Sequence, residues 1–376
     1  MASLDVCIRG SGAVGLALAL ALARQGLQVG LVGAPADGGR TEPAPDLRAY
    51  ALNHASRGLL AGLKVWDALP ADAVTPVEDM HIEGDRAPAA LDFSAWRAGR
   101  EALAWIVDAG ELDAALQAAA RFAPHLQILS EAQADAAGAS LTVLAEGKAS
   151  ASRAALGVHF ERRPYGHTAL AARLVADAPH TGLARQWFRS PDVLALLPLD
   201  RPEPAHSYGL VWSLPAERAA ALLVAPGADF EAALAQATGG AAGALRLAGA
   251  RAAWPLALAR ADRLCGPGWL LVGDAAHLVH PLAGQGLNLG LADVACLARV
   301  IAAREPWRGL GDETLLRRHV RERAAPTAAM ALVTDGLLHL FAQPQPAWRE
   351  LRNRGMGLLN RLAPVKQALI RQALGA

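Results

Sequence analysis

With 376 residues, 53% of them hydrophobic, and a mean hydropathy of +0.21, the chain is long enough for two domains with large apolar cores and too apolar for disorder. A formal net charge of +1 argues against nucleic acid as the main partner. Three scattered cysteines, Cys7, Cys265 and Cys296, form no Cys-x-x-Cys pair, which suits a reducing cytosol and excludes a metal or disulfide framework built on them.

The N-terminus carries Asp5 and no basic stretch, so it does not read as a signal peptide. The apolar run Ala13–Ala23 is about half of the ~20 residues needed to span a bilayer, and the chain is expected to be soluble. Leu4–Ile8 predicts a short buried strand. Gly10-Ser11-Gly12-Ala13-Val14-Gly15 follows, then an Ala/Leu helix to about Gln25, a stop at Gly26 and a second strand around Leu27–Val32. This strand–turn–helix–strand setting is what gives Gly-x-Gly-x-x-Gly its meaning. The first glycine makes a tight turn, the second lets backbone approach a pyrophosphate, and the third lets helix and strand pack closely. Free N–H groups and the positive end of the helix dipole then face the phosphates. A tight turn in some other α/β protein is the alternative.

Residues 34–47, rich in Pro, Gly and charge, predict a loop, and residues 46–69 a loop entering a helix. Strand-like pieces (VEDMHIEG, ALDFS) occupy 76–99. A helix is predicted from about Ala109, with Leu112, Leu116 and Ala119 or Ala120 on one face. LTVLAEG reads as strand and turn. Between about Ala178 and Leu258 the character changes: DVLALLPLD and HSYGLVWSLP predict antiparallel strands bounded by Pro and Asp. Strand, loop and long helix return at 269–304, and everything beyond Asp312 reads helical. From Arg299 onward 13 Lys and Arg face 6 Asp and Glu. Solvated helix faces account for this tilt; contact with an anionic membrane surface or partner is the other reading.

The densest signal is LLVGDAAHLVHPLAGQGLNLGLADV, residues 270–294. A buried strand ends at Gly273-Asp274, which puts a carboxylate at a strand's C-terminal edge, where open α/β sheets bind ligands. Pro281 rigidifies the loop. Gly284, Gly286 and Gly290 let backbone approach a flat ligand, and a helix starting near Gly286 aims its N–H groups at it. Asp274, His277 and His280 also have the spacing of a metal site, but the glycines serve close backbone approach and no further ligand-rich segment is evident.

These residues resemble the GD motif of the flavoprotein aromatic hydroxylases, the para-hydroxybenzoate hydroxylase fold, and specifically their ubiquinone-biosynthesis branch. The resemblance implies that Asp274, after Gly273, binds the ribityl chain of FAD and that Pro281 lies beside the isoalloxazine. The backbone of Gly284, Gln285, Gly286, Leu287 and Asn288 would cradle the pyrimidine end of the ring. Gly10, Gly12, Ala13, Val14 and Gly15 match the FAD pyrophosphate fingerprint, and Arg48, in DLRAYAL, matches a family arginine near the flavin. Looser similarity covers VDAGELDAAL, LLPL, VWSLP, WPLALARADRL and PVKQALIRQALG.

The fold implied is α/β: a Rossmann-like FAD-binding domain interleaved with a β-rich substrate domain, followed by C-terminal helices. Residues 1–75, 100–177 and 256–325 are expected in the first, 76–99 and 178–255 in the second, and 326–376 in a C-terminal helical segment. The activity implied is NAD(P)H- and O2-dependent hydroxylation of a lipophilic, polyprenylated phenol through a flavin C4a-hydroperoxide. No catalytic side chain and no metal is then needed, because the cofactor carries the chemistry while the protein orients and shields it. A cytoplasmic location is implied, with peripheral contact at the inner membrane or with a biosynthetic complex. Another flavin oxidoreductase of this fold and a non-catalytic accessory paralogue are the alternatives.

Three positions depart from the family pattern. Gly33 stands where an acid should bond the adenosine ribose, a loss worth ~1.5–3 kcal/mol, or roughly 10- to 150-fold in affinity. Asp37, in the following loop, is a candidate substitute. Glu146 replaces an aspartate in the element that runs on through Ser150 to Arg153, keeping its charge. Arg9 ends the first strand where an apolar residue is expected, and therefore calls for a carboxylate or phosphate partner. Tyr50, His54 and Trp212 are candidates to line a substrate pocket, against ordinary packing.

Overall fold

The computed structural model describes residues 3–33, 46–84, 90–279 and 285–342. Its first layer is a six-stranded sheet in the order β15 (Cys265–Gly266), β16 (Trp269–Leu271), β9 (Ala139–Leu144), β1 (Leu4–Arg9), β2 (Val29–Val32), β8 (Leu126–Leu129). All neighbours pair parallel except β15 with β16. Helices α1 (Ala13–Ala23), α3 (Ala109–Arg121) and α8 (Gln285–Ala302) share the core on one face of this sheet. The α1 sequence, AVGLALALALA, is apolar all round because α1 touches the sheet, α3 and α8 at once. In α3 the Asp108 carboxylate caps the N–H groups of Gly110 and Glu111, and Leu112, Leu116 and Ala120 are the buried stripe. The opposite face carries α4 (Glu131–Ala137), opened by a Ser130/Gln133 capping box, and α5 (Ala151–Ala155) follows β9 in the chain.

A second, eight-stranded sheet runs β17 (His277–Leu278), β14 (Leu245–Ala261), β10 (Phe160–Ala176), β13 (Ser207–Pro215), β12 (Asp192–Leu199), β11 (Leu183–Arg189), β5 (Asp79–Glu83), β6 (Ala90–Ser94). It is antiparallel except for the β11–β5 pair. Helices α6 (Ala216–Val224) and α7 (Gly227–Thr238) cover one face, with Phe230 of α7 in the same core as Trp187, Leu196, Leu210 and Trp212 of the sheet. The other face meets a small sheet of β3 (Ala49–Leu52), β7 (Ala104–Asp108) and β4 (Val74–Val77) through Val77, Ile106, Ala195, Leu197 and Leu199. Helix α2 (His54–Gly62) follows β3, and α9 (Glu313–Ala342) packs on α8. Among the described residues no helix is long and apolar enough to cross a membrane.

The architecture is the expected interleaving of a parallel α/β layer with a β-rich part, with two local differences. Residues 49–52, read as loop, are β3, because their register with β7 (Ala49 opposite Asp108, Leu52 opposite Trp105) is set by a segment more than fifty positions away. The expected limits at 177/178 and 255/256 also differ from the sheet boundaries. Strand β10 pairs on both sides with β13 and β14, so 160–176 lies in the eight-stranded sheet, and 255/256 falls inside β14. The sequence FERRPYGHTALAARLVA does not alternate, since its C-terminal half is buried on both faces, and this hides the strand.

Candidate functional site

The C-terminal edge of β1 leads straight into the glycine turn. Gly10 has φ +114, and a Cβ there would stand 2.3 Å from the Ala145 carbonyl oxygen; one on Gly15 would stand 1.9 Å from the Gly10 carbonyl oxygen. A Cβ on Gly12 would meet nothing within 4 Å, and Gly12 caps α1 without a side-chain hydrogen bond. Two glycines are therefore used up by the fold, and the middle one leaves an open face above uncapped amides. The Val14 side chain fills the gap to the second motif, with Gly273 and Gly290 against it; a Cβ on Gly290 would come within 2.5 Å of Val14.

Gly273–Ala275 form a short turn after β16, with Gly273 at φ +60. Burial pushes the Asp274 carboxyl pKa up, opposed by His277, Lys148 and Arg48. Among the described residues its carboxylate has no hydrogen-bond partner. Below the turn, Asp293 of α8 accepts from the Gly273 N–H at 3.0 Å, stands 2.8 Å from His277 Nε2, and accepts from Arg323 Nε of α9 at 2.6 Å. Its side chain is 2% exposed. Burial alone would raise the Asp293 carboxyl pKa; the hydrogen bonds and charges of His277 and Arg323 overcome burial and hold it well below the carboxylate range. From the other side Arg153 donates to the Ala275 carbonyl at 2.8 Å while covering the Phe160 ring.

His319, on α9, is 3% exposed and its Nδ1 has no hydrogen-bond partner among the described residues. Burial pushes its pKa down from 6.5 to about 4, with Asp293 opposing. A depressed imidazole contributes stability that is complete above pH 6.5 and is lost as the pH falls towards 4. The total is about 3 kcal/mol. Denaturation midpoints of the wild type are expected to fall steeply over that window, and those of His319→Gln to fall much less. Equal slopes in the two proteins would exclude His319 as the cause. The loss of Asp293 belongs to a separate window, below pH 4.

Arg48 opens β3. Its guanidinium binds Asp46 through Nε and Nη2, lies 3.9 Å from Asp113 and sits over the Tyr50 ring. Arg173 of β10 donates to the Arg48 carbonyl at 2.9 Å and to Asp108 at 2.7 Å, tying the eight-stranded sheet to this corner. Arg173 Nη1 and Asp113 Oδ1 are buried without a hydrogen-bond partner among the described residues. Burial raises the pKa of Tyr50, whose phenol also feels Arg48 and Asp274.

The structure thus brings Gly10, Gly12, Ala13, Val14, Gly15, Gly273 and Asp274 to one edge, with Arg48 close enough to bias Asp274. Gln285, Gly286, Leu287 and Asn288 form the first turn of α8. The Asn288 side chain holds this turn to the β3–α2 junction: its Oδ1 accepts from Asn53 N and Ser56 Oγ, and its Nδ2 donates to the Ala51 carbonyl. Pro281, Gly284, His280 and Asp37 lie outside the described residues, and His277 is engaged by Asp293. Of the three pocket candidates, Tyr50 is at the site. His54 packs edge-on to Trp105, with Nε2 2.9 Å from the Ala102 carbonyl oxygen. Trp212 is core, on the far face of the sheet under α6, because its neighbour Val211 takes the near face of the same strand.

Arg9 finds two carboxylate partners, Glu131 and Asp135 of α4. Gly33 has φ +91 and accepts from Ser11 Oγ. Glu146 is turned inward, accepting from Ser150 Oγ, Ser152 N and Ser152 Oγ. Asp293, Arg323, Arg173 and Asp108 were not read from the sequence as site residues. The available signal for Asp293 was a lone acid within the apolar α8 sequence QGLNLGLADVACLARVIA.

The chain matches the family described as "FAD binding domain" over residues 3–138 and 95–334. It is similar to the ubiquinone hydroxylase UbiL of Rhodospirillum rubrum, 30% identical over 99% of this chain and 89% of that protein. It is 29% identical to the 3-demethoxyubiquinol 3-hydroxylase of Escherichia coli, over 99% of this chain and 98% of the other. Among solved structures, PqsL of Pseudomonas aeruginosa, described as a probable FAD-dependent monooxygenase, superimposes with a TM-score of 0.75 over 94% of this chain and 99% of its own, at 21% identity.

Proposed function

The chain belongs to the FAD-dependent hydroxylase family that includes the ubiquinone hydroxylases, and on that premise we propose that it hydroxylates a lipophilic phenol of ubiquinone biosynthesis. The observation that carries the reading is the convergence of the glycine turn and the Gly273–Asp274 turn on one sheet edge, with Val14 wedged between them. The residues present fit the cofactor. The open face at Gly12 and the uncapped start of α1 suit a pyrophosphate, and the half-buried Asp274 carboxylate, which accepts no hydrogen bond among the described residues, suits a polyol hydroxyl. Gly10, Gly12, Ala13, Val14 and Gly15 would hold the phosphates, Gly273 and Asp274 the ribityl chain, and Gln285 to Asn288, with Pro281 and Gly284 ahead of them, the ring. Arg48 would stand beside it.

When bound, FAD would take two electrons from NAD(P)H and activate O2, so that one oxygen atom hydroxylates the phenol ring of the substrate and the other leaves as water. The protein's part is positional. Asp293 and Arg153 grip the Gly273–Ala275 turn from two sides, and Asn288 locks the start of α8 to β3. The apolar contact between β3/β7/β4 and the eight-stranded sheet keeps water from the flank of the site. A lipophilic substrate has to be taken from a membrane or a carrier, and the basic segment from Arg299 onward favours peripheral contact with an anionic surface.

The adenosine end is the weak point. The lost acid at Gly33 predicts FAD binding no tighter than about micromolar, so that the protein loses flavin on dilution. A titration following flavin fluorescence tests this, and sub-nanomolar retention would contradict it. The function itself is tested at saturating FAD: the 450 nm absorbance should bleach with NAD(P)H, and a prenylated phenol should be oxygenated. Tight FAD binding with no NAD(P)H oxidation on any prenylphenol would favour a non-catalytic role instead.

A further inference from the structure

On the face of the eight-stranded sheet turned away from β3, β7 and β4, a recess of about 120 Å³ opens between β11, β12, β13 and the helices α6 and α7. Its polar lining is Trp187, Trp212, Asp192, Arg189, Arg218 and Gln236. Trp187 and Trp212 are 1% and 0% exposed and Asp192 is 8% exposed, yet both indole Nε1 atoms and Asp192 Oδ1 have no hydrogen-bond partner among the described residues. Burial pushes the Asp192 carboxyl pKa up, opposed by Arg218 and by the Trp212 N–H, which faces the carboxylate but falls outside hydrogen-bond geometry. Buried groups of this kind are rarely left unbonded.

The neighbouring guanidinium groups have protein partners. Arg218 donates to Asp192 Oδ2 at 2.5 Å, and Arg189 donates to the Ala237 carbonyl at 2.8 Å and to Glu83 at 3.3 Å. Of the groups buried in the wall, two N–H donors and one carboxylate oxygen therefore remain unbonded among the described residues, and they select the ligand. An anion has no proton for Asp192, and an ammonium ion has no lone pair for the indoles. A hydroxyl group has both. The volume is somewhat below the ~150 Å³ of an engineered apolar cavity that takes benzene, which limits the ligand body to one ring or a short chain. The rest of the wall, Leu194 and Ala237 with the indole rings, is apolar.

We propose that this recess binds a compact neutral hydroxyl compound, a single-ring phenol or a short alcohol, whose O–H donates to Asp192 Oδ1 and whose oxygen accepts from an indole N–H. Calorimetric titration of the full chain with phenol, cyclohexanol, benzene and benzoate tests it. One of the two hydroxyl compounds should bind with a stoichiometry near one and at least ~10-fold more tightly than benzene, while benzoate should not bind. The tighter of phenol and cyclohexanol identifies the aromatic or the aliphatic source. Trp187→Phe with Trp212→Phe should abolish the preference over benzene, and Ala237→Leu, which fills the recess, should abolish binding with the melting temperature kept. If neither hydroxyl compound surpasses benzene, or if the phenylalanine variant binds phenol as the wild type does, the site is refuted.

Discussion

Asp293→Ala is expected to lower stability by about 3–5 kcal/mol and to weaken FAD binding with it, because one side chain there serves three partners. Removing it leaves the Arg323 and His277 side chains, 12% and 9% exposed, without their carboxylate, and leaves the buried Gly273 N–H without an acceptor. A truncated partner in a buried ion network costs more than the network contributes in total, since the remaining charge stays in a poorly solvated place. Asp293→Asn separates the two roles. Its amide oxygen still accepts from Gly273, so the turn keeps its shape, but the charge that holds Arg323 is gone. Chemical denaturation and FAD titration of both variants are the check. An alanine variant within about 1 kcal/mol of the wild type would show that Asp293 does not hold the turn.

The second large effect separates two glycines three residues apart. Gly15→Ala places a methyl 1.9 Å from the Gly10 carbonyl oxygen, 3.0 Å from its carbon and 3.5 Å from Ala145 Cβ. Backbone atoms cannot swing aside as a flexible side chain can, so β1 and α1 must part, and the loss is expected at or above the ~3 kcal/mol top of the usual overpacking range. Gly12→Ala is the converse. Gly12 has φ −74, which any residue adopts, and its methyl would meet no protein atom within 4 Å. Stability should stay within about 0.5 kcal/mol of the wild type, while FAD affinity drops by at least ~10-fold, since the methyl occupies the face on which a pyrophosphate must rest. A Gly12→Ala protein that binds FAD normally would remove the glycine turn from the cofactor site; a Gly15→Ala protein of full stability would contradict the packing.

Gly33 shows how a residue type misleads when read alone. In the sequence it is a missing acid, and restoring glutamate looks like a simple repair. The structure gives it φ +91, with its carbonyl bonded by Ser11, so a side chain there carries the ~1–2 kcal/mol penalty of a left-handed backbone. That penalty offsets much of the charged hydrogen bond a glutamate would regain. Arg9, which pairs with Val32 beside Gly33, was legible only as a residue in need of a carboxylate or phosphate. Its partners, Glu131 and Asp135, come from a helix more than 120 positions later.

What the sequence determined by itself was local: the glycine turn at 10–15, the Gly273–Asp274 turn, the α3 stripe of Leu112, Leu116 and Ala120, and the identity of the family. These rest on spacing and on short segments whose backbone chemistry is encoded within a few residues. Which distant groups meet is set by the packing of the whole chain. The burial of β10 between two strands, the Asp293–His277–Arg323 network, the Arg173 link to Arg48 and the placing of Trp212 on the far face of the sheet all depend on register. In a sheet a shift of one residue exchanges the two faces, and in a buried network each partner is supplied by a different element, so no local pattern carries that information.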